Sequence, residues 1–378
     1  GDNWRVGAMS MQTDGGTAGL GQNFSVAALQ RQVGKSSNIG IIGVNRSSLE
    51  NGDFVKSAFN RLLGVDYNFA SADRNHRGKV FFHKSFTFDK PADSYAHASW
   101  YTFSTPSFRA MWNHEYVGKN YNAAVGFVPR IERYNPQLFT IERHGYWRLE
   151  PLLRYNFYPK KSANLIYHGP SLYMDRYMDN SYTLTDNQLR YGYEVQFKNT
   201  SNLVAYYNQW YTKLFFDTDV SFTGDSAIAS GGYSYTNLAL SYISNLRKPF
   251  NWEAGLTTGE YYSGYRTNAK LDLNYRWQPW GTFGLSYNFN RIDMSQLEKA
   301  VDISLIGASA EMSFTKAIFF TTFFQYNTQA NNFNINSRLQ WRYRPLSDLY
   351  LVYSENYVAT DLFIKNRALV VKFIYWFQ

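Results

Sequence analysis

Residues two apart share a character along much of this chain. From Thr267 to Trp277 the odd positions read Ala269, Leu271, Leu273, Tyr275 and Trp277, while the even positions read Asn268, Lys270, Asp272, Asn274 and Arg276. Between 333 and 344 the same split separates Phe333, Ile335, Ser337, Leu339, Trp341 and Tyr343 from Asn334, Asn336, Arg338, Gln340, Arg342 and Arg344, with Ser337 the only polar intruder. Phe283, Leu285, Tyr287 and Phe289 alternate with Gly284, Ser286, Asn288 and Asn290, and Leu189, Tyr191, Tyr193, Val195 and Phe197 make a fourth apolar row. A period of two puts alternate side chains on opposite faces of a strand, so each segment predicts a strand with one apolar face. These segments run roughly 9 to 13 residues, against about 5 to 6 for an ordinary strand, and that length lets a tilted strand cross a hydrocarbon layer. Tyr275, Trp277, Trp341 and Tyr343 fall at strand ends, where rings suit the boundary between lipid and water.

Connections support the same picture. Short turns are expected near Gly34–Ser36, Ser104–Ser107, Pro159–Ala163, Asn199–Asn202, Asn245–Phe250, Gln278–Gly281, Thr315–Ala317 and Pro345–Asp348. Longer links are expected over Arg46–Phe59, Gly118–Trp147, Met178–Asn187, Leu214–Gly232, Asp293–Asp302 and Ala359–Asn366. Gln329–Asn331 and Asp89–Asp93 are short for the long-loop side, and Ala72–Gly78 is long for a turn. Alternation of short turns with longer loops predicts an all-β, transmembrane, antiparallel up-and-down β-barrel of about 20 strands, with 18 also compatible and both termini periplasmic. One domain over 1–378 accounts for the chain, because no linker or composition shift divides it.

Composition narrows the class further. The 378 residues include 32 Tyr, 29 Phe and 10 Trp, only 18% are charged, and none is Cys. Mean hydropathy is −0.43 and no stretch of 18 apolar residues occurs, so a membrane helix has no place to form. Lack of Cys removes disulfides and thiolate zinc sites. The formal charge of +9 comes from Lys and Arg spread along the chain rather than from a basic run, which argues against nucleic acid. Gly1-Asp2-Asn3-Trp4 carries no signal-peptide pattern, so a processed or truncated chain is expected.

The last strand, Arg367 to Gln378, sets Leu369, Val371, Phe373, Tyr375 and Phe377 on one face. Phe373, Tyr375 and Phe377 resemble the C-terminal assembly signal of outer-membrane barrels, which implies the barrel-insertion machinery as a partner. A plain apolar edge strand is the alternative.

Several short motifs carry a family resemblance. They are Asn23-Phe24-Ser25-Val26 with Arg31 and Ser36–Asn45, then Gly64-Val65-Asp66-Tyr67-Asn68-Phe69, and above all Gly126-Phe127-Val128-Pro129-Arg130. The sequence resembles the barrel region of Gram-negative outer-membrane proteins of unknown function that follows a family-9-like carbohydrate-binding module. With the barrel pattern, the resemblance covers essentially all 378 residues. It implies an N-terminal module beyond this chain, and it carries no settled activity across.

Candidate chemistry is sparse. The six His fall at 76, 83, 97, 114, 144 and 168, and none makes a helical His-Glu-x-x-His pattern, so no metal site, catalytic residue or cofactor is expected. On a strand His114 and Glu115 point to opposite faces, whereas Glu142 and His144 can share one. Gly34-Lys35-Ser36 lacks the first glycine and the helix of a phosphate loop, position 29 being Leu29, and reads as a turn. Gly15–Gly21 reads as a flexible outer loop.

Gly118–Trp147 is long for a connection, and such segments fold inward or carry function. It is expected either to enter the lumen as a constriction or plug or to cap the outside. Gly126 and Phe127 lie at its centre, Pro129 fixes its backbone, and Arg130, Arg133 and Arg143 pair with wall carboxylates in the plug reading. Predicted lumen-lining residues are Lys270, Asp272, Arg276, Glu311, Arg338, Arg342, Arg344 and Lys372. Their cations either bias the lumen toward anions or are held by Asp272, Glu311 and neighbouring Asn. The sequence therefore predicts a non-enzymatic barrel of a Gram-negative outer membrane, acting as a pore or as the membrane-embedded subunit of a secretion, assembly or uptake complex. Its partners are lipid, lipopolysaccharide and possible envelope proteins, and a rim-located hydrolase using Glu142 and His144 is the alternative.

Overall fold

A computed structural model describes every residue except 1–2, 16–18, 89, 91, 225–226, 298, 362 and 378. The outer loop expected over Gly15–Gly21 therefore falls partly outside the described residues. Among these residues no helix is long and apolar enough to cross a membrane, and the regular structure consists of antiparallel strands.

Contacts divide the chain into two compact units. One comprises Gly1–Asn156, Pro170–Arg190 and Trp210–Phe216, and the other Phe157–Gly169, Tyr191–Gln209 and Asp217–Gln378. The first holds β1 (Trp4–Thr13), β2 (Gly21–Val33), β3 (Ser37–Glu50), β4 (Asp53–Ala70), β5 (His76–Thr87), β6 (Tyr95–Ser104) and β7 (Phe108–Val117). It also holds β8 (Glu132–Asn135), β9 (Thr140–Arg143), β10 (Tyr146–Leu149) and β11 (Leu152–Tyr155). Parts of β12 (Leu165–Asp179), β13 (Leu184–Phe197) and β14 (Asn202–Leu214) belong to each unit. The second unit continues with β15 (Gly231–Ile243), β16 (Phe250–Tyr261), β17 (Gly264–Trp277), β18 (Gly281–Met294) and β19 (Val301–Ser313). It ends with β20 (Ile318–Asn327), β21 (Asn332–Arg344), β22 (Ser347–Val358) and β23 (Ile364–Ile374).

Twenty-one strands belong to one up-and-down sheet, and β8 and β9 form a separate hairpin. β10 and β11 both pair with β7 and β12, interrupted at Glu150-Pro151, where proline has no N–H to give to a ladder. Taking those two as one strand and setting the hairpin aside leaves 20 described strands in the sheet, the number expected from the turns.

In the second unit the two faces differ as the alternation requires. Leu273, Leu285, Ala308, Phe324 and Ile335 stand in one cross-strand row from β17 to β21. Leu271, Tyr287, Ile306, Tyr326 and Phe333 make the next row on that face. Leu285 is 48% exposed although nothing polar surrounds it in the row, so the face is built to meet an apolar solvent. The opposite face is amide-rich: Asn268 Nδ2 donates to Asn288 Oδ1 at 2.9 Å, and Arg266 Nη2 donates to Asn290 Oδ1 at 2.6 Å.

Two connections depart from expectation. The long link expected over Arg46–Phe59 is instead an extended hairpin, closed by Asn51-Gly52 with φ of 51° and 91°. Asn-Gly tolerates left-handed φ at both positions and matches the twist of flanking strands, so pairing runs to the turn. Its register breaks between Ser47 and Leu49, and that irregularity hides the alternation from sequence. The link over Met178–Asn187 shrinks likewise, because β12 reaches Asp179 and β13 begins at Leu184.

Candidate functional site

The site is built on the polar face of the first unit, where residues 118–145 return onto the strands. Alternation along β4 puts Asn60, Leu62, Gly64 and Asp66 on that face and leaves Leu63 and Val65 exposed on the other. Register then carries the face to Ser85 and His83 of β5, to Ala96 of β6, to Val117 of β7 and to Tyr146 of β10. Tyr121 and Ile131 from the connection bury against Leu62, Ala96, Val117 and Tyr146, and Ala123 and Val128 pack beside them. Burying each large side chain contributes about 1.5–3 kcal/mol.

Polar anchors fix the backbone of the segment. Asn60, 1% exposed, donates Nδ2 to the Asn122 carbonyl at 2.9 Å and accepts the Ala124 N–H at 3.2 Å. Ser85 Oγ accepts the Asn122 N–H at 3.0 Å and donates to the Ser94 carbonyl at 3.2 Å. His83 Nδ1 lies 3.4 Å from the Tyr121 hydroxyl, and its ring occupies the space over Gly64, where a Cβ would come within 2.4 Å of it. Burial pushes the Tyr121 phenol up to about 12.

The loop arginines take three different roles. Arg130 pairs with Asp186 of β13 and lies 4.1 Å over the Tyr177 ring. Arg133 stacks 3.5 Å over Phe215, and burial holds its guanidinium below the ordinary value. Arg143 pairs with Glu132, its register partner in the β8–β9 hairpin, and donates Nε to the Lys119 carbonyl at 3.1 Å. Of the three expected to seek wall carboxylates, Arg130 does so, while the hairpin turns Arg143 back on its own segment. Gly126 N–H closes a turn on the Ala123 carbonyl at 2.9 Å, and Phe127 and Pro129 are exposed.

Beside these anchors, Arg148 of β10 donates Nε to Asp175 Oδ1 at 2.7 Å and reaches Glu150 Oε2 at 3.1 Å. Glu150 also accepts Asn113 Nδ2 at 3.0 Å and the Tyr173 hydroxyl at 2.8 Å. One guanidinium thus serves two carboxylates. Glu142 Oε2 and His144 Nε2 come to 3.4 Å on the loop hairpin, but the His144 ring packs against Phe215 at 5.6 Å, and Glu142 accepts Asn135 Nδ2 at 2.8 Å.

Apart from Arg344, which follows a register break after Arg342, the residues expected to line a lumen lie on the polar face of the second unit, mostly with partners. Lys270 Nζ is 2.8 Å from Asp272 and 3.3 Å from Glu253. Arg276 donates to the Leu246 and Lys248 carbonyls at 2.6 and 2.9 Å. Arg342 meets Asp348 at 3.2 Å, and Arg344 donates to the Tyr375 hydroxyl at 2.9 Å. Glu311 stands opposite Thr282 and Thr321, Arg338 opposite Thr321 and Val352, and Lys372 opposite Tyr350. On the apolar face Phe373 stacks on Tyr343 at 5.4 Å, and Tyr375 and Phe377 follow the end of β23 with rings 4.6 Å apart.

Solved structures share this strand arrangement. The siderophore receptor PirA from Pseudomonas aeruginosa superposes with a TM-score of 0.54 at 11% identity, over 98% of this chain and 71% of that one. The fold is that of outer-membrane β-barrel proteins. A structure described as the copper transporter OprC gives a TM-score of 0.50 at 12% identity, over 93% of this chain and 68% of that one. No protein-family model matches the chain, and no curated protein matches it. The apolar face is therefore the outer, membrane-side face, and the polar face carrying residues 118–145 is the inner one.

Sequence reasoning missed Asn60, Ser85, His83 and the Arg148 cluster. Each is ordinary in its own strand, and only strand register assembles them. The available signal was the stretch Ile39, Ile41, Ile42 and Val44, apolar on both faces, which marks inner-face residues covered by something.

Proposed function

We propose that this chain is a non-enzymatic transport barrel of a Gram-negative outer membrane, with residues 118–145 as the constriction that narrows its hydrophilic path. The observation that carries this reading is the packing of Tyr121 and Ile131 on inner-face Leu62, Ala96, Val117 and Tyr146. A merely external cap has no reason to bury its apolar residues there or to hydrogen-bond its backbone to Asn60 and Ser85 on the inner face. Transport is also what the printed names of PirA and OprC describe for those proteins. Lipid and lipopolysaccharide would cover the outer face, and Phe373, Tyr375 and Phe377 would be offered to the insertion machinery.

The test replaces 121–143 with a short Gly/Ser linker and records single-channel conductance in planar bilayers. Larger conductance is expected. Unchanged conductance, or a wild-type protein that never conducts and co-purifies with an envelope partner, would overturn the constriction in favour of a complex subunit.

A further inference from the structure

Two histidines meet on the outer face of the first unit. His97 of β6 and His114 of β7 are diagonal neighbours in the ladder, since His97 faces Tyr116 and His114 faces Ser99. His114 Nε2 lies 3.3 Å from His97 Nδ1, and His114 Nδ1 lies 2.6 Å from Ser99 Oγ. Two imidazole nitrogens bound to one tetrahedral zinc at about 2.0–2.1 Å each are about 3.3 Å apart, so the pair already stands at chelating separation. When His114 donates Nδ1–H to Ser99 Oγ, its Nε2 is left unprotonated, the tautomer an outer hydrogen bond gives a metal-binding histidine, and an ion would take the place of the proton that His97 Nδ1 and His114 Nε2 now share. Rings close the sides: Tyr116 stacks on His97 at 5.3 Å, and Trp147 lies 5.6 Å from His97 and 6.5 Å from His114.

We propose that His97 and His114 form a two-histidine site for a borderline divalent transition cation such as Cu²⁺ or Zn²⁺, with Ser99 as the positioning residue. Imidazole pairs suit these ions over Mg²⁺ or Ca²⁺, which take oxygen. The pair stands two and three residues from the strand ends at Tyr95 and Val117, at the rim of the lipid-covered face. Among the described residues no group of three or more His, Cys, Asp or Glu could hold a metal, so water reaching that rim completes the shell and affinity is micromolar rather than nanomolar. Glu115 adds nothing, because Arg148 is its cross-strand neighbour on the inner face. Three residues beyond His114, β7 ends at Val117 and the 118–145 segment begins, so an ion here ties together the strand pair from which that segment leaves.

The experiment uses the tag-free chain in detergent micelles, titrated with Cu²⁺ alone under electron paramagnetic resonance and with Zn²⁺ alone by calorimetry. One Cu²⁺ per chain with two nitrogen couplings is expected. His97→Ala or His114→Ala should each remove one coupling and weaken binding at least ~10-fold, and Ser99→Ala should weaken it ~10-fold with both couplings kept. His168→Ala should change nothing, because that ring is held by Tyr193 at 2.6 Å. Heat-modifiable migration on gels checks that each variant is folded. Folded wild type that binds neither ion at micromolar concentration, or Cu²⁺ coupling that survives the double variant, overturns the site and leaves a plain imidazole–imidazole hydrogen bond.

Discussion

Asn60 treats Asn122 as though it were a residue of a neighbouring strand: its amide donates to the Asn122 carbonyl at 2.9 Å and accepts the N–H of Ala124 at 3.2 Å. A side chain on the inner face thus satisfies backbone groups that a connection would otherwise bury unpaired. Asn60→Ala leaves both groups orphaned, at about 1–3 kcal/mol each. The expected result is a folded barrel whose 118–145 segment detaches far more often. Limited proteolysis within 121–143 should accelerate on the order of 10-fold, while the heat-modifiable band is retained. A cleavage rate equal to wild type would mean that the apolar contacts alone hold the segment.

Alkaline pH should release the same segment through Tyr121. Its phenol titrates near 10 when unfolded and is pushed up to about 12 by burial, so the folded state holds the proton more tightly. A raised folded value contributes stability that is complete below pH ~10 and is lost as pH rises toward ~12. Conductance of the wild type should therefore rise between those limits, and Tyr121→Phe, which cannot ionise, should flatten that rise. A Tyr121→Phe profile identical to wild type would place the transition on another group.

The contrast between the two ends of the chain explains what was legible. Along β17 and β21 the inner face meets water, so Lys270, Asn274, Arg338 and Arg342 alternate cleanly with Leu271, Tyr275, Leu339 and Trp341, and fold class and strand number follow from period and turns. Along β3 and β4 the inner face is covered by the 118–145 segment, so Ile42, Val44 and Leu62 are as apolar as their outer neighbours and the period is lost. A different cause hid the Asn51-Gly52 hairpin, read as a long link because the register break between Ser47 and Leu49 interrupts the alternation of its flanking strands. His97 and His114 lie 17 residues apart, and no local spacing announces a pair that only cross-strand register creates.

Charge selectivity should respond to Lys270 in an asymmetric way. Its ammonium sits between Asp272 and Glu253, so removing it exposes two carboxylates rather than merely deleting one cation. Lys270→Gln is expected to move the reversal potential in a salt gradient toward cation preference more than Arg338→Gln does, since Arg338 stands between Thr321 and Val352. Equal shifts for the two variants would show that the local carboxylates do not face the conducting path.

The face assignment itself can be tested with one charge placed on either side of the same part of the sheet. Leu285 on the outer face belongs to the row with Leu273 and Ala308, whereas Gln325 on the inner face stands opposite Gly307 and Asn334, where a long side chain finds room and water. An arginine facing the middle of a bilayer costs about 2–4 kcal/mol and much less near its edges, while inner positions of a water-filled barrel tolerate it. Leu285→Arg should therefore lower the free energy of unfolding, read from urea titration in lipid vesicles, by that amount, and Gln325→Arg should leave it within about 0.5 kcal/mol of wild type. Reversal of that order would place lipid against Asn268 and Lys270, and the alternation from which the whole fold follows would have been assigned to the wrong sides.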